Sequence, residues 1–455
     1  METQAEQAVH DPSEQVTEVT LVLNMQPTEF MAIRERFLSG LAAQLNCEPS
    51  DLQITSIRHG CTKVTVRMTS GRAVETLKLA NTATQDADEF RVEFGVRSAH
   101  FSEHLVLIRR SGREFTWMHI SDIHFEEEAG PHAASQERVK KAFLEDLPEV
   151  LGADDLVPDA VFVTGDIAQR ASAAEYDKAL DFLNTLKGIL PKTSAPIMVV
   201  PGNHDVQRDK VTAFQVQEDA ALKLLTTNDS IIDFLKSTKS KQDREQILAR
   251  LDNFFSFTQQ CVALGQPPLN HGYFYTTQLT HLGVKVGVAG LNSAWRCSSD
   301  LDRGRLILGV PQIDQALQDL ADSDLRLLLL HHPIESEWFV REDQLYQRRQ
   351  LGNFDFVLRG HEHDPHAVSL SQLHAAPSYR FAAGTLYTHE QFPKSVNAVR
   401  LNLDHGSARL FYWRLSPAKY EWVRDVDFHR EGSVQFPLSE RSKARIAART
   451  QVAAA

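Results

Sequence analysis

Five short apolar runs in this chain each end in a cluster of Asp, His or Asn. "EFTWMHI" leads into Ser121-Asp122-Ile123-His124, "DAVFVT" into Gly165-Asp166, and "APIMVV" into Pro201-Gly202-Asn203-His204-Asp205. "LRLLLL" leads into His331-His332-Pro333, and "FDFVLR" into Gly360-His361-Glu362-His363. Continuous apolar runs of this length suit strands buried on both faces. Helical stretches lie between them, such as "SAAEYDKALDFLNTLKGIL", opened by a Ser172/Glu175 capping box, and "VPQIDQALQDLA". The alternation predicts a layered α/β domain, in which ligands gather beyond the carboxyl ends of the strands. All five polar clusters fall on that edge.

The 455 residues leave room for more than this one domain. Residues 1–15 are polar and acidic and read as disordered. Residues 16–98 read as β-α-β-β-α-β, a small α+β ferredoxin-like domain. "VTEVTLVLNM" is strand-like, Pro27 opens a helix with Phe30, Ile33, Phe37, Leu41 and Leu45 on one face, and "DLQITSI" and "TKVTVRM" form a hairpin around "RHGC". "EFRVEFGV" is read as the closing strand. Residues 99–113 connect to the α/β domain at 114–415. A helical insertion at 206–268, too long for a plain loop, is expected to cap the site. "AVRLNL" and "ARLFYWRL" finish the sheet as antiparallel strands, and 416–455 is a C-terminal extension.

The clusters supply carboxylates, an amide and imidazoles but no thiolate pair, since the cysteines at 47, 61, 261 and 297 make no CxxC. Oxygen and nitrogen ligands of this kind favour Mn, Fe or Zn. If the backbone is extended, residues i and i+2 point the same way. Asp122 and His124 then reach one ion together. His361 and His363 do the same, or divide between two ions about 3.5–4 Å apart.

The series Asp122-x-His124, Gly165-Asp166, Gly202-Asn203-His204-Asp205, His331-x-Pro333 and Gly360-His361-x-His363 resembles the calcineurin-like metallophosphoesterase superfamily over residues 115–390. The resemblance implies a four-layer αββα sandwich with two divalent metal ions, Mn favoured and Fe or Zn as alternatives. It implies that Asp122, His124, Asp166 and His363 hold one metal. Asp166, Asn203, His331 and His361 hold the other, and the doubled histidine leaves His332 as the alternative to His331. By the same resemblance His204 is catalytic and donates a proton to the leaving oxygen, while Asp205 orients its imidazole. The resemblance further implies that the metals would supply a hydroxide for in-line attack on phosphorus. The loop "LNSAWRCSSDLDRGR" follows the strand "VKVGVAG" and should reach the same edge, making Asn292, Arg296 and Arg303 candidate substrate contacts.

The wording "SDIHF", "GDIAQ" and "GNHDV" is most similar to the phosphodiesterase branch, so a nucleotide or cyclic nucleotide is the expected substrate class. Phosphomonoesterase and nuclease are the alternatives. A net charge of −12 does not suggest general polyanion binding, though a local basic groove can sit inside an acidic total. The hairpin "ITSIRHGCTKVTVRM" at 54–68 resembles small adaptor modules fused to bacterial effector enzymes, which implies a protein partner or self-association through residues 16–98. The N-terminus lacks an apolar signal core, and no run is long enough to span a bilayer. These features predict a cytoplasmic protein without membrane contact.

Overall fold

The computed structural model describes residues 16–454 except 59–61, 70–71, 73–75, 77–78, 81–84, 102–112, 128–130, 213–221, 300, 335–336, 373–374 and 387–391. The readings of residues 1–15 as disordered, of the "RHGC" turn at 59–61 and of most of the 99–113 connection lie outside the described residues. The chain divides into two compact units, Met1–Ser111 and Gly112–Ala455.

In the first unit, β1 (Val16–Leu23), β2 (Gln53–Arg58), β3 (Thr62–Thr69) and β4 (Val96–Phe101) form an antiparallel sheet of order β2-β3-β1-β4. Helices Pro27–Gln44 and Gln85–Phe94 accompany it. This is the ferredoxin-like arrangement. "EFRVEFGV" is not the closing strand. Its first residues complete the second helix, because Phe90 and Phe94 at i,i+4 spacing both pack into the core beside Phe37. The strand begins only after Gly95, whose φ of +61° ends the helix.

The second unit holds two sheets. One has the order β16-β15-β14-β5-β6-β7, with β17 paired to β15. Its strands are β5 (Glu114–Ile120), β6 (Ala160–Thr164), β7 (Ile197–Val200), β14 (Ser395–Asn402), β15 (Ser407–Leu415), β16 (Trp422–Arg424) and β17 (Ser433–Pro437). The other sheet has the order β12-β13-β11-β10-β9-β8. It comprises β8 (Tyr275–His281), β9 (Val284–Gly290), β10 (Leu325–Leu329), β11 (Phe356–Arg359), β12 (His366–Gln372) and β13 (Ala375–Ala382). Strands β5, β6 and β7 run parallel, as do β9, β10, β11 and β13.

Strand alternation builds the layers. Phe115, Trp117, Phe162, Met198 and Val200 of one sheet share a core with Val286, Val288, Leu327, Leu329, Phe356 and Leu358 of the other. Their neighbours Met118, Ile120, Val161, Val163, Ile197 and Val199 face the opposite way, into a core shared with helices Pro131–Ala153 and Ala173–Ile189. Both faces of the central strands are therefore buried, and the stacking is αββα.

The C-terminal stretch is docked rather than frayed. Helix Glu440–Ala454 lays Ser442 and Arg445 on Asp355, with Ser442 Oγ donating at 2.6 Å and Arg445 donating at 2.6 Å, and lays Arg449 on Asp324. Asp355 stands just before β11 and also accepts the Arg326 N–H at 2.8 Å. Asp355→Ala should lower stability by about 2 kcal/mol, since it removes the acceptor of the buried Ser442 hydroxyl and of the Arg326 N–H and the partner of the half-buried Arg445. Urea unfolding checks this, and a loss below about 1 kcal/mol would show the helix is not anchored there.

Candidate metal centre

Each cluster follows the carboxyl end of a parallel strand, so the sheets deliver them to one place. His363 Nε2 lies 3.1 Å from Asp122 Oδ1, and His124 Nε2 lies 3.7 Å from Asp166 Oδ2. On the other side His331 Nε2 lies 3.2 Å from Asp166 Oδ2 and 3.2 Å from Asn203 Oδ1. His361 Nδ1 lies 3.0 Å from Asn203 Oδ1 and 3.3 Å from His331 Nε2. All seven metal-ligand candidates are thus brought together. The candidate atoms of Asp122, His124, Asp166 and His363 lie within 4.8 Å of one another.

The backbone does not reach this geometry by strand alternation. Asp122 (φ +54°), His124 (+48°), Asp166 (+51°), His361 (+74°) and His363 (+57°) are all left-handed. The DxH and HxH pairs therefore sit on tight loops rather than on extended chain, and the i,i+2 argument for them fails. They converge because each loop is pinned. The Ile123 and His124 N–H groups both donate to the Asp166 carbonyl at 2.9 Å, and the His361 N–H donates to the Asp122 carboxylate at 3.2 Å. Left-handed backbone costs a non-glycine residue roughly 1–2 kcal/mol, and its concentration here marks a functional site. The glycine ahead of Asn203 has an ordinary φ of −109° and is needed for space instead. A Cβ on Gly202 would overlap the Asp166 carboxylate.

Hydrogen bonds orient the rings. His331 Nδ1–H donates to the Thr164 carbonyl at 2.7 Å, which turns Nε2 toward Asp166 and Asn203. The choice between the doubled histidines follows from Ser293. Its Oγ accepts the N–H groups of both His331 and His332 at 3.2 Å, so its own hydrogen goes to His332 Nδ1 at 2.9 Å. His332 Nε2 then carries the ring proton and faces Cys297 Sγ at 3.8 Å. These bonds engage both ring nitrogens of His332, whose ring also lies within ligand distance of His331 and His361, whereas His331 presents Nε2 to Asp166 and Asn203.

The electrostatics favour positive charge at this point. Burial alone would raise Asp122 and Asp166, but His363 holds Asp122 low, and His331 with His204 holds Asp166 well below the carboxylate range. Burial works against charge on His331 too, yet the Asp166 carboxylate, with Asp122 behind it, lifts it to about 9. Burial takes His124 and His361 down to about 3, leaving neutral imidazoles. His331 and His363, held protonated by the carboxylates, would give up that proton to a cation, and the set of two ionised carboxylates, imidazoles and an amide oxygen then fits divalent cations. Cys297 adds no thiolate, because burial raises its thiol well above the ordinary value.

His204 is in the cavity wall, its Nδ1–H donating to the Gln169 carbonyl at 2.9 Å. Asp205 does not orient it. The Asp205 carboxylate is fully buried and accepts N–H groups from Gly202 (2.8 Å), Ala168 (3.0 Å) and Ile167 (3.2 Å), and the Tyr176 hydroxyl at 3.0 Å. It ties the β6 and β7 loops together. Gln169 does the orienting of both neighbouring rings, since its side-chain oxygen also takes the His124 Nδ1–H at 2.8 Å. Its place in "GDIAQ", three residues after Asp166, is the signal in the sequence that points to it.

The cavity is about 220 Å³, lined by Asp166, Asn203, His204, His332, His361 and His363 with Cys297, Ser299, Asp302 and Trp338. The 291–305 loop reaches it as expected, but through other residues. Asn292 is fully buried and bonded to the Tyr273 carbonyl and the Ala294 N–H, and Arg296 donates to the Leu222 carbonyl at 2.9 Å. Neither lines the cavity, and nor does the exposed Arg303. The 206–268 insertion is helical, yet none of its described residues lines the cavity. It packs Phe254 and Phe257 on Tyr176, and Arg250 donates to the Cys297 carbonyl at 2.7 Å, so it buttresses the loop.

An αββα sandwich with Asp, His and Asn clusters at its strand ends defines a metal-binding phosphoesterase class. The calcineurin-like phosphoesterase model matches residues 115–365, and the chain belongs to that family. It is 20% identical over 332 residues to an uncharacterised metallophosphoesterase-like protein, YydB, of Bacillus subtilis, covering 71% of this chain and 65% of that protein. The chain thus spans about two thirds of the length of that curated relative. Among solved structures it is similar to GAP50, the anchor in the inner membrane complex of Plasmodium, at 10% identity and a TM-score of 0.39, covering 74% of this chain and 94% of that one. It is also similar to Vps29 of Entamoeba histolytica complexed with zinc, at 12% identity and a TM-score of 0.28, covering 68% of this chain and 97% of that one. Both structural likenesses are distant. No helix among the described residues is long and apolar enough to cross a membrane.

Proposed function

We propose that this protein hydrolyses phosphodiesters with two divalent cations, manganese favoured. The observation that carries the reading is the position of Asp166, one carboxylate oxygen of which faces His331 on one side (3.2 Å) and His124 on the other (3.7 Å). Asp122, His124, Asp166 and His363 would hold one cation, and Asp166, Asn203, His331 and His361 the other. When bound, the cations neutralise charge on the phosphoryl oxygens and acidify water.

The chain's own residues do the rest. His363, 3.1 Å away, with His331 behind it, keeps Asp122 ionised. Ser293 engages His332, and Thr164 aims His331 into the ligand set. The Gln169 carbonyl takes the His204 Nδ1–H, so the ring's other nitrogen is the one that can carry a proton to a leaving oxygen.

Two assays test this. With manganese, wild type should cleave bis(4-nitrophenyl) phosphate faster than 4-nitrophenyl phosphate. Preference for the monoester would instead make the protein a phosphatase. His204→Gln should lower kcat on the order of 100-fold for a diester with an alkyl leaving group, and far less for 4-nitrophenolate, which leaves without a proton. Equal losses on both would remove His204 as the acid.

A further inference from the structure

The cavity wall contains one large aromatic side chain that the chemistry above does not use. Trp338 is half-buried, and its ring stands perpendicular to His361 with centroids 4.3 Å apart. Its position is built rather than incidental. The Leu306 N–H donates to the Trp338 carbonyl at 3.0 Å, and the Val340 N–H donates to the Leu306 carbonyl at 2.8 Å. These bonds join the 337–340 segment to the loop that carries Ser299 and Asp302.

The rest of the wall is lined mostly by polar residues, with Cys297 the exception. Asp166, Asn203, His204, His361 and His363 are polar, and Asp302 spends its carboxylate on the Ser298 and Ser299 N–H groups at 2.7 and 2.9 Å. A cavity of about 220 Å³ is below the roughly 300–1,000 Å³ of sites that enclose a drug-sized ligand. It admits a phosphate and one ring-sized group, with anything further left outside.

We infer that Trp338 is a specificity-determining residue, the surface on which a planar aromatic substituent of the ester, an aryl ring or a nucleobase, stacks beside the reacting phosphate. The inference rests on reading the centre as a phosphate-ester site and names the substrate class for it. Aromatic stacking is strong enough to set a preference of about tenfold for an aromatic over an aliphatic ester. A Trp that only packs against His361 would set no such preference.

The probes are phenylphosphonate and ethylphosphonate, which carry the same anionic head and are not hydrolysed. Their affinities for the manganese-loaded full chain are measured by calorimetry for wild type, Trp338→Phe and Trp338→Leu. Wild type and Trp338→Phe should favour phenylphosphonate by about tenfold, and in Trp338→Leu that ratio should fall to about one, whatever the change in the affinity common to both anions. Equal affinity of wild type for the two anions overturns the inference, whether or not the leucine variant folds. So does a preference that survives in Trp338→Leu. Binding of neither anion, together with no ester hydrolysis, overturns the phosphoesterase reading and this inference with it. Hydrolysis without aromatic preference sinks the inference alone.

Discussion

Asp166→Asn should abolish diester hydrolysis by about a thousandfold or more, well beyond the roughly 10–100-fold that changes outside the ligand set cost. The amide keeps the size of the side chain and can still accept the His204 N–H that Asp166 Oδ1 takes at 2.8 Å. It removes the charge that faces His331 and His124 together. If Asp166 is shared by two cations, as proposed, both would lose a ligand at once, so manganese bound per chain should fall as well as kcat. The check is metal content after gel filtration beside turnover of bis(4-nitrophenyl) phosphate. A variant that retains both ions and loses less than about tenfold in kcat would show that Asp166 is not shared between them.

Asp205→Ala should be the most destabilising single change near the site, on the order of 4 kcal/mol. Three buried N–H groups, from Ile167, Ala168 and Gly202, and the Tyr176 hydroxyl would lose their acceptor. Each buried donor left unmade costs roughly 1–3 kcal/mol, and the removed carboxylate also leaves a void. Burial, with Asp166 nearby, pushes Asp205 up to about 6, so at neutral pH it is ionised and accepts all four bonds. Urea unfolding measures the loss. If Asp205 instead served His204, the alanine variant would keep its stability and shift the pH profile of kcat. That pattern would overturn the structural assignment.

These two residues show how unevenly the site can be read from the chain alone. Asp166 is legible as a candidate because a carboxylate just past the end of a buried strand falls on the same edge as four other polar clusters. Asp205 belongs to the same cluster, but its partner is not the one its position suggests. Adjacency to His204 in the chain suggests contact, whereas the 3-10 turn at Asn203–Asp205 sends the two side chains in different directions. Gln169 stands 35 residues from His204 in sequence and meets it only through the β6–β7 pairing. In the 291–305 loop, charge and amide character point to Asn292, Arg296 and Arg303. The small residues Cys297 and Ser299 and the loop-bracing Asp302 line the cavity instead. Trp338 offers no local signal, because it stands in the short apolar run Trp338-Phe339-Val340 and nothing in that run distinguishes a cavity-lining ring from the buried Phe339 beside it.

The N-terminal unit shows the same division. Its sheet is readable from period-two alternation, with Val64, Val66 and Met68 buried against Val19 and Leu21. "EFRVEFGV" reads as a strand because Phe90, Val92 and Phe94 alternate as a strand would. Helical spacing also places Phe90 and Phe94 on one face, and only packing against Phe37 decides between them. The solvent exposure of Val92, 83%, follows from that choice.

What the residues alone dictated is the inventory and its location: which strands are buried on both faces, which edge they share, and which side chains gather there. That information is local, since apolar runs, glycines and the chemistry of a donor are properties of a few neighbouring residues. What only the folded chain decided is orientation. Five left-handed residues, the Ser293 hydroxyl that engages His332, and the Gln169 contacts all depend on hydrogen bonds between segments far apart in sequence. A side chain's direction is set by the partners that satisfy its polar atoms, and those partners are known only once the sheets have brought their loops together.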